Sequence, residues 1–352
     1  MVFREKLLRW YDKNGRDLPW RKTSDPYRIW LSEIILQQTR VDQGLPYFLR
    51  FAEAFPAVED LARADEQKVL KLWQGLGYYS RARNLHSTAR EIVSSFSGIF
   101  PESYEGLKQL KGIGEYTAAA IASISFGLPF PVVDGNVLRF FSRYFRIEDP
   151  VNSAAIRNKT RKIAGDLIDK DDPGRFNQAM MEFGALYCRP ADPPCGKCIF
   201  MKECRAYRDG LANLLPVKSP KTIRKRRYFY YLLIQPGGKS SVCLRKREEK
   251  DIWKNLYDFP VIEAKSELSS DDLKKRIEWK NAFRGDETTL ISISEPFTHH
   301  LTHQVVIARF VKVKTSSVPG PPVILVRIRD LEKFPFSRLI ERYLVAYPLR
   351  RR

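Results

Sequence analysis

Apolar residues recur at helical spacing through the first 212 or so residues of the chain. The pattern holds in Leu7-Leu8-Trp10-Tyr11, Ile29 to Leu36, Val69-Leu70-Leu72-Trp73 and Ala118 to Ile124. Breakers separate these runs at Asp25-Pro26, Phe55-Pro56, Gly75-Leu76-Gly77, Phe100-Pro101, Leu128-Pro129 and Asp149-Pro150. Helices of about ten to fifteen residues result, as a compact all-helical unit requires. Beyond Cys204 the texture changes. Tyr228–Ile234, Ser241–Leu244, Val305–Val313 and Val323–Val326 are β-branched or aromatic runs between turns, and helical spacing returns at Ser270–Lys280 and Ser337–Ala346. The pattern predicts a multidomain chain: an all-α domain over 1–212, a linker over 213–227 and an α+β domain over 228–352. The linker carries Pro216, Pro220 and the run Arg224-Lys225-Arg226-Arg227, which could lie along a phosphate backbone.

Length agrees with two domains, each able to bury a core, at 352 residues. No apolar run approaches a membrane span. Met1-Val2-Phe3-Arg4-Glu5-Lys6 opens directly into an amphipathic helical pattern, without a signal or transit peptide, so an intracellular, cytoplasmic protein is expected. Charge narrows the function. With 61 Lys and Arg against 41 Asp and Glu the net charge is +20, which favours a polyanionic partner, nucleic acid foremost. A membrane surface is the competing partner, but no basic amphipathic helix with a concentrated aromatic face supports it.

Four of the five cysteines fall within one short segment: Cys188, Cys195, Cys198 and Cys204, spaced C-x6-C-x2-C-x5-C. In a reducing compartment such a cluster points to a metal rather than to disulfides. Four thiolates suit zinc or an iron–sulfur cluster. Pro190, Pro193, Pro194 and Gly196 keep the segment out of a helix. A compact wrap around a cube-shaped cluster fits at least as well as two knuckles around one ion. The remaining Cys243 sits in an apolar run and reads as core.

Three further segments could carry chemistry. Lys111-Gly112-Ile113-Gly114 follows Leu110 and precedes a strong helical run, a helix–hairpin–helix pattern whose backbone amides can bind a phosphate without reading sequence. An ordinary inter-helix turn would look similar. Glu33 lies inside the nearly all-apolar run Trp30 to Leu36, where an unpaired carboxylate is expensive to bury. It is either paired with Arg16, Arg21 or Arg28, or it is a general acid whose pKa an apolar pocket has raised. Asp134, in Val133-Asp134-Gly135-Asn136, can simply cap the following helix. Two carboxylates together would suit cleavage of an N-glycosidic bond, one protonating the leaving group and one stabilising an oxocarbenium-like cation.

Hairpin, Val133-Asp134-Gly135-Asn136 and the cysteine spacing together resemble the endonuclease III superfamily of DNA glycosylases. Within it the chain is similar to the MutY-type adenine glycosylases over residues 1 to about 210. Leu18-Pro19-Trp20-Arg21, Leu36 to Val41, Gly75 to Leu85 and Met180 to Ala185 match that family's motifs. The resemblance implies one four-iron, four-sulfur cluster on the four cysteines. It implies that Glu33 protonates adenine and Asp134 stabilises the sugar cation, with Tyr116 and Asn136 orienting them. Leu18, Trp20, Arg21 and Glu182 would wall the flipped-adenine pocket, and Gln38 and Tyr78 would wedge the duplex, their bland alternative being core packing. Bifunctional relatives carry a lysine where Tyr116 stands, so a monofunctional enzyme is implied. A pyrimidine glycosylase with lyase activity is disfavoured by Tyr116 and the second domain, and a DNA-binding or Nudix-type module without chemistry by the retention of both Glu33 and Asp134.

The second domain resembles the Nudix-like domain of the same family through Asn255-Leu256-Tyr257-Asp258-Phe259-Pro260. Leu301-Thr302-His303 is similar to the loop that senses 8-oxoguanine, with Leu in place of the usual Phe. Arg247-Glu248-Glu249 is not the Nudix hydrolase box, so no pyrophosphatase activity is expected. Three of the four histidines, His299, His300 and His303, fall in the longer segment Phe297 to His303, but no further ligand suggests a metal there. The implied partner is double-stranded DNA containing adenine opposite 8-oxoguanine, bound by a monomer.

Overall fold

The apolar periodicity becomes helix wherever it was strongest. A computed structural model describes residues 2–218, 224–236, 240–283, 288–316, 318–320 and 322–349. Its helices are α1 (Val2–Asn14), α2 (Pro26–Leu36), α3 (Val41–Ala54), α4 (Val58–Arg63), α5 (Glu66–Trp73), α6 (Ser80–Phe96), α7 (Tyr104–Gln109), α8 (Glu115–Phe126), α9 (Gly135–Tyr144), α10 (Ala154–Leu167), α11 (Pro173–Leu186), α12 (Arg205–Arg208), α13 (Ser270–Lys275), α14 (Ile277–Phe283) and α15 (Arg338–Ala346). Its strands are β1 (Lys225–Ile234), β2 (Ser241–Lys246), β3 (Tyr257–Asp258), β4 (Val261–Ala264), β5 (Thr289–Ile293), β6 (Phe297–His300), β7 (Gln304–Lys314) and β8 (Val323–Arg327). No helix among the described residues is long and apolar enough to cross a membrane. The chain divides into two compact units, Met1–Arg63 with Asn84–Pro220, and Ala64–Arg83 with Lys221–Arg352.

In the first unit α2 is buried at Tyr27 and from Ile29 to Ile35, which accounts for its nearly continuous apolar run. Asp25 caps it by accepting from the Tyr27 N–H, and Pro26 occupies the first turn, where its missing N–H is harmless. The packing partner is α8, whose Ala118, Ala119 and Ala120 are small enough for close approach. Helix α11 packs on α1, α8 and α9, and an aromatic core of Trp10, Phe140, Phe141, Phe176, Phe183 and Phe200 fills the space between them and the cysteine segment.

In the second unit β1 is the organising strand. It pairs in parallel with β7 and antiparallel with β4. Alternate residues go to opposite faces. Phe229, Tyr231 and Leu233 enter one core with Leu339, Ile340 and Tyr343 of α15, while Tyr230, Leu232 and Ile234 enter another with Leu273, Trp279 and Phe283. Burial on both faces explains a strand that reads as continuously hydrophobic. A second sheet runs β3-β2-β8.

Three features depart from the sequence reading. The run Lys225-Arg226-Arg227 opens β1, because Arg227 finds carboxylate partners in Asp251 and Glu263 and the strand pairs from Lys225 onward. Residues 219–223 of the expected linker lie outside the described residues. The helix expected over Ser270–Lys280 is two: Arg276 adopts extended backbone, which turns Trp279 and Phe283 into the core that Leu273 already occupies. Finally, Ala64–Arg83 groups with the C-terminal unit, where Lys71 Nζ donates to Phe334 O (3.2 Å), Tyr79 Oη to Phe336 O (3.0 Å) and Arg83 Nη1 to Lys254 O (2.9 Å).

Candidate active site

Glu33 is carried into the interior by α2, with only 6% of its surface exposed. It lines a cleft of about 1070 Å³ in the first unit together with Trp20, Tyr116, Asp134, Asn136 and Gln178. Burial pushes its carboxyl up to about 7; the hydrogen bond from Tyr116 Oη to Oε2, at 2.6 Å, opposes that rise, and the charge of Asp134 adds to it. Neither Arg16, Arg21 nor Arg28 forms an ion pair with Glu33 among the described contacts. Arg16 and Arg21 both go to Glu182, and Arg28 goes to Asp25. Tyr116 stands in the first turn of α8, and burial holds its phenol well above its ordinary value, so it remains a donor.

Asp134 does cap α9, accepting from the N–H groups of Asn136 (2.9 Å) and Val137 (2.7 Å), and its second oxygen accepts from Asn136 Nδ2 at 2.6 Å. Capping and a place in the cleft coexist, because the helix begins at the cleft wall. Burial raises its carboxyl above the ordinary range, against three hydrogen bonds that favour the charged form. The cleft therefore holds two carboxyls of different character. One sits among apolar groups with a single donor; the other is saturated by donors and a helix N-terminus.

The remaining wall residues are set by local structure. Pro19–Arg21 forms a single 3-10 turn that buries Trp20 against Phe48, ring centroids 5.1 Å apart, and Leu18 is buried beside it. Glu182 is buried with both oxygens engaged by Arg16 and Arg21. Burial alone would raise its pKa, but the two guanidiniums hold it at about 2. Gln38 is exposed at the cleft rim with φ +57, a conformation a non-glycine residue rarely adopts.

Sequence reasoning missed Gln178, which lies one helical turn before Glu182 on α11 and lines the same cleft. It also missed Arg139, which donates to Asn136 Oδ1 (2.9 Å), Gly184 O (2.6 Å) and Cys188 O (2.9 Å) and so ties the Asp134 cap to the cysteine segment. Arg143, four residues on and 2% exposed, donates to Cys188 Sγ at 3.4 Å and to the carbonyls of Arg189 and Pro190. The available signal was two arginines at i, i+4 on an otherwise buried helix.

Cys188, Cys195, Cys198 and Cys204 line one small cavity walled by Phe140, Phe183, Phe200 and Tyr207. All four are free thiols. Among the described residues no three or more ligands converge closely enough for a single metal ion. Four soft donors spread around a common cavity, with the Phe200 N–H (3.4 Å from Cys198 Sγ) and the Arg143 guanidinium directed at sulfur, fit a multi-atom iron–sulfur cluster.

The hairpin lies between α7 and α8. Gly112 has φ +80, and a Cβ there would come within 2.9 Å of Asn84 Cβ, so the turn needs glycine. Lys111 and Gly114 are exposed, Ile113 is buried as the hairpin's anchor, and Gly114 stands at the N-cap of α8 without a side-chain cap, which leaves the helix's N-terminal amides open to an anion. In the second unit Leu301-Thr302-His303 forms the tip of the β6–β7 hairpin, closed by Leu301 N–H to Gln304 O at 2.8 Å. Thr302 and His303 are exposed and Leu301 packs against the core. Tyr78, half exposed with φ +48, meets Thr302 through hydroxyl groups 2.9 Å apart. Both line a pocket of about 650 Å³ with Trp253 and His299.

A helix–hairpin–helix beside a cleft lined by a buried carboxyl, Glu33, and a half-buried one, Asp134, followed by a mixed-sheet unit, defines a class. Residues 31–164 match the HhH-GPD superfamily of base excision DNA repair proteins, and residues 229–346 match the NUDIX domain. The chain belongs to the adenine DNA glycosylase family. It is 36% identical over 303 residues to the adenine DNA glycosylase of Buchnera aphidicola subsp. Acyrthosiphon pisum (strain APS), covering 86% of this chain and 85% of that one. The mouse adenine DNA glycosylase is 44% identical over 216 residues, covering 59% of this chain and 42% of the relative. Among solved structures, a thermostable thymine-DNA glycosylase superposes with TM-score 0.53 at 29% identity, covering 59% of this chain and 96% of that one. A non-covalent endonuclease III–DNA complex shares the fold at TM-score 0.52 and 20% identity, covering 60% and 95%.

Proposed function

We propose that the protein is a monofunctional DNA glycosylase that flips adenine opposite 8-oxoguanine, or guanine, out of double-stranded DNA and hydrolyses its N-glycosidic bond. The observation that carries this reading is the state of Glu33: a carboxyl that burial pushes up to about 7 and Tyr116 steadies, in one cleft with Asp134. A proton held there near neutral pH can pass to the adenine leaving group as the bond to the sugar breaks. The Asp134 carboxylate, fixed by the α9 N-terminus and Asn136, stabilises the positive charge that develops on the sugar, and water completes an abasic site. No lysine lines the cleft among the described residues, so no Schiff base with the sugar forms and the strand stays intact.

The other assignments follow from placement. Leu18, Trp20, Arg21 and Glu182 wall the base pocket, the last as the anchor of two arginines. Lys111, Gly112, Ile113 and Gly114 present the α8 N-terminus to a DNA phosphate. Gln38 and Tyr78, both in left-handed backbone, serve as wedges that offset the loss of base stacking. Leu301, Thr302 and His303 read the oxidised base, and residues 228–352 form the lesion-reading domain. Cys188, Cys195, Cys198 and Cys204 would hold one four-iron, four-sulfur cluster. When bound, it cross-links the segment that Arg139 and Arg143 tie to α9. The enzyme acts as an intracellular monomer.

Duplexes with adenine opposite 8-oxoguanine, guanine or thymine test the reading. Strand breaks should appear only after alkali and only opposite the first two. Thr302→Ala with His303→Ala should narrow the preference for 8-oxoguanine over guanine by roughly the tenfold or more that one base-edge contact supplies. Breaks without alkali, or equal cleavage opposite thymine, would contradict it.

A further inference from the structure

We propose that Tyr11 is a positioning residue for base recognition, acting through Gln178. The inference rests on the reading of the first-unit cleft as the place where the flipped adenine is held. Gln178 lines that cleft from α11. An amide there can present either its oxygen or its NH₂ group, and the two recognise opposite chemistry. The choice is made from behind. Tyr11 Oη on α1 donates to Gln178 Oε1 at 3.1 Å, which commits the amide oxygen and leaves the Nε2 hydrogens for the cleft. The Tyr11 hydroxyl keeps its proton, since burial raises its pKa although the Arg21 guanidinium over its ring, 5.5 Å from the centroid, opposes that rise.

Adenine offers ring nitrogens as acceptors, so an amide held with its N–H groups forward is complementary to it. An amide free to rotate would spend part of its time presenting an oxygen that an adenine ring nitrogen cannot satisfy. Tyr11 thus shapes the pocket without touching the base, and no residue within the Leu18–Arg21 or Met180–Ala185 motifs does this work.

The experiment is a double-mutant cycle on the full chain: wild type, Tyr11→Phe, Gln178→Ala and the double variant. It reads single-turnover adenine excision from a duplex with adenine opposite 8-oxoguanine, with Tm measured alongside. Phe keeps the ring under Arg21 and removes only the hydroxyl. Tyr11→Phe should slow excision roughly three- to tenfold, the range of one neutral hydrogen bond, with duplex affinity unchanged. The double variant should be no slower than Gln178→Ala alone, because Tyr11 has nothing left to orient. Wild-type excision by Tyr11→Phe, or effects that multiply in the double variant, would overturn the proposal. The cycle decides even if Tyr11→Phe lowers Tm, since coupling is read against Gln178→Ala. A wild-type enzyme that excises no adenine would instead sink the reading of the cleft itself.

Discussion

The burial that fits Glu33 for its proposed role as the acid has a consequence for stability. Its carboxyl titrates at about 7 in the folded protein against an ordinary value of 4.5. Between those values the folded state binds more protons than the unfolded state. The stability contribution is therefore fully present below about 4.5 and lost as pH rises through about 7. The loss is on the order of 3 kcal/mol at most. Glu33→Gln removes the titration, so the Tm of the variant should gain on wild type between pH 5 and pH 8, measured by thermal unfolding in matched buffers. A constant Tm difference across that range would mean that Glu33 is ionised throughout. At this scale the sequence was informative about Glu33, because a carboxylate in an apolar helix can be read from one dimension. It named Glu182 only through the family motif and not its partners Arg16 and Arg21, which lie more than a hundred and fifty residues away in the chain. Gln178 carried no signal at all, since an amide on a helix face is ordinary until the opposite wall is known.

At the scale of elements, the junction of α9 and α11 is the least forgiving contact at the site. Gly184 on α11 lies so close to the start of α9 that a Cβ there would sit 2.7 Å from Asn136 O and 2.8 Å from Asn136 C. Both are backbone atoms and cannot rotate away. Gly184→Ala must push α11 off the turn that Asp134 caps. Overpacking of this kind typically costs about 1–3 kcal/mol. The variant should lose several degrees of Tm and slow excision, while duplex binding, proposed to rest on the hairpin, persists; an unchanged Tm and rate would show that the junction yields without loss. Helix and strand identities were largely legible, because α2, α8, β1 and β7 follow strict burial patterns. The break at Arg276 was not, since apolar spacing continues across it and only the shared core of Leu273 and Trp279 demands the turn. The basic run before Tyr228 looked like a tether because its strand partners, the Asp251 and Glu263 carboxylates among them, are supplied from elsewhere in the chain.

Over the whole molecule, sequence order and spatial grouping diverge at Ala64–Arg83, which belongs with the C-terminal unit although helical sequence surrounds it. Nothing in its composition signals this. Its attachments include Lys71, Tyr79 and Arg83 donating to main-chain carbonyls, a kind of bond that leaves no imprint on the residues it joins, beside side-chain pairs such as Glu66 with Asn255. The grouping gives the Tyr78–Thr302 contact its meaning, for the proposed wedge and the proposed lesion reader meet within one unit. The proposed chemistry belongs to the other unit, whose cleft Glu33 and Asp134 line. The most direct test of the account is therefore the release of free adenine, under single-turnover conditions, from a duplex carrying adenine opposite 8-oxoguanine, followed across pH for wild type and Glu33→Gln. Wild type should release adenine at a rate that falls as pH rises above about 7, as the Glu33 proton is lost. Glu33→Gln should be slower by about 10²–10⁴-fold with binding retained. Release by Glu33→Gln at the wild-type rate, or a wild-type rate that does not fall across that range, would contradict acid catalysis by Glu33.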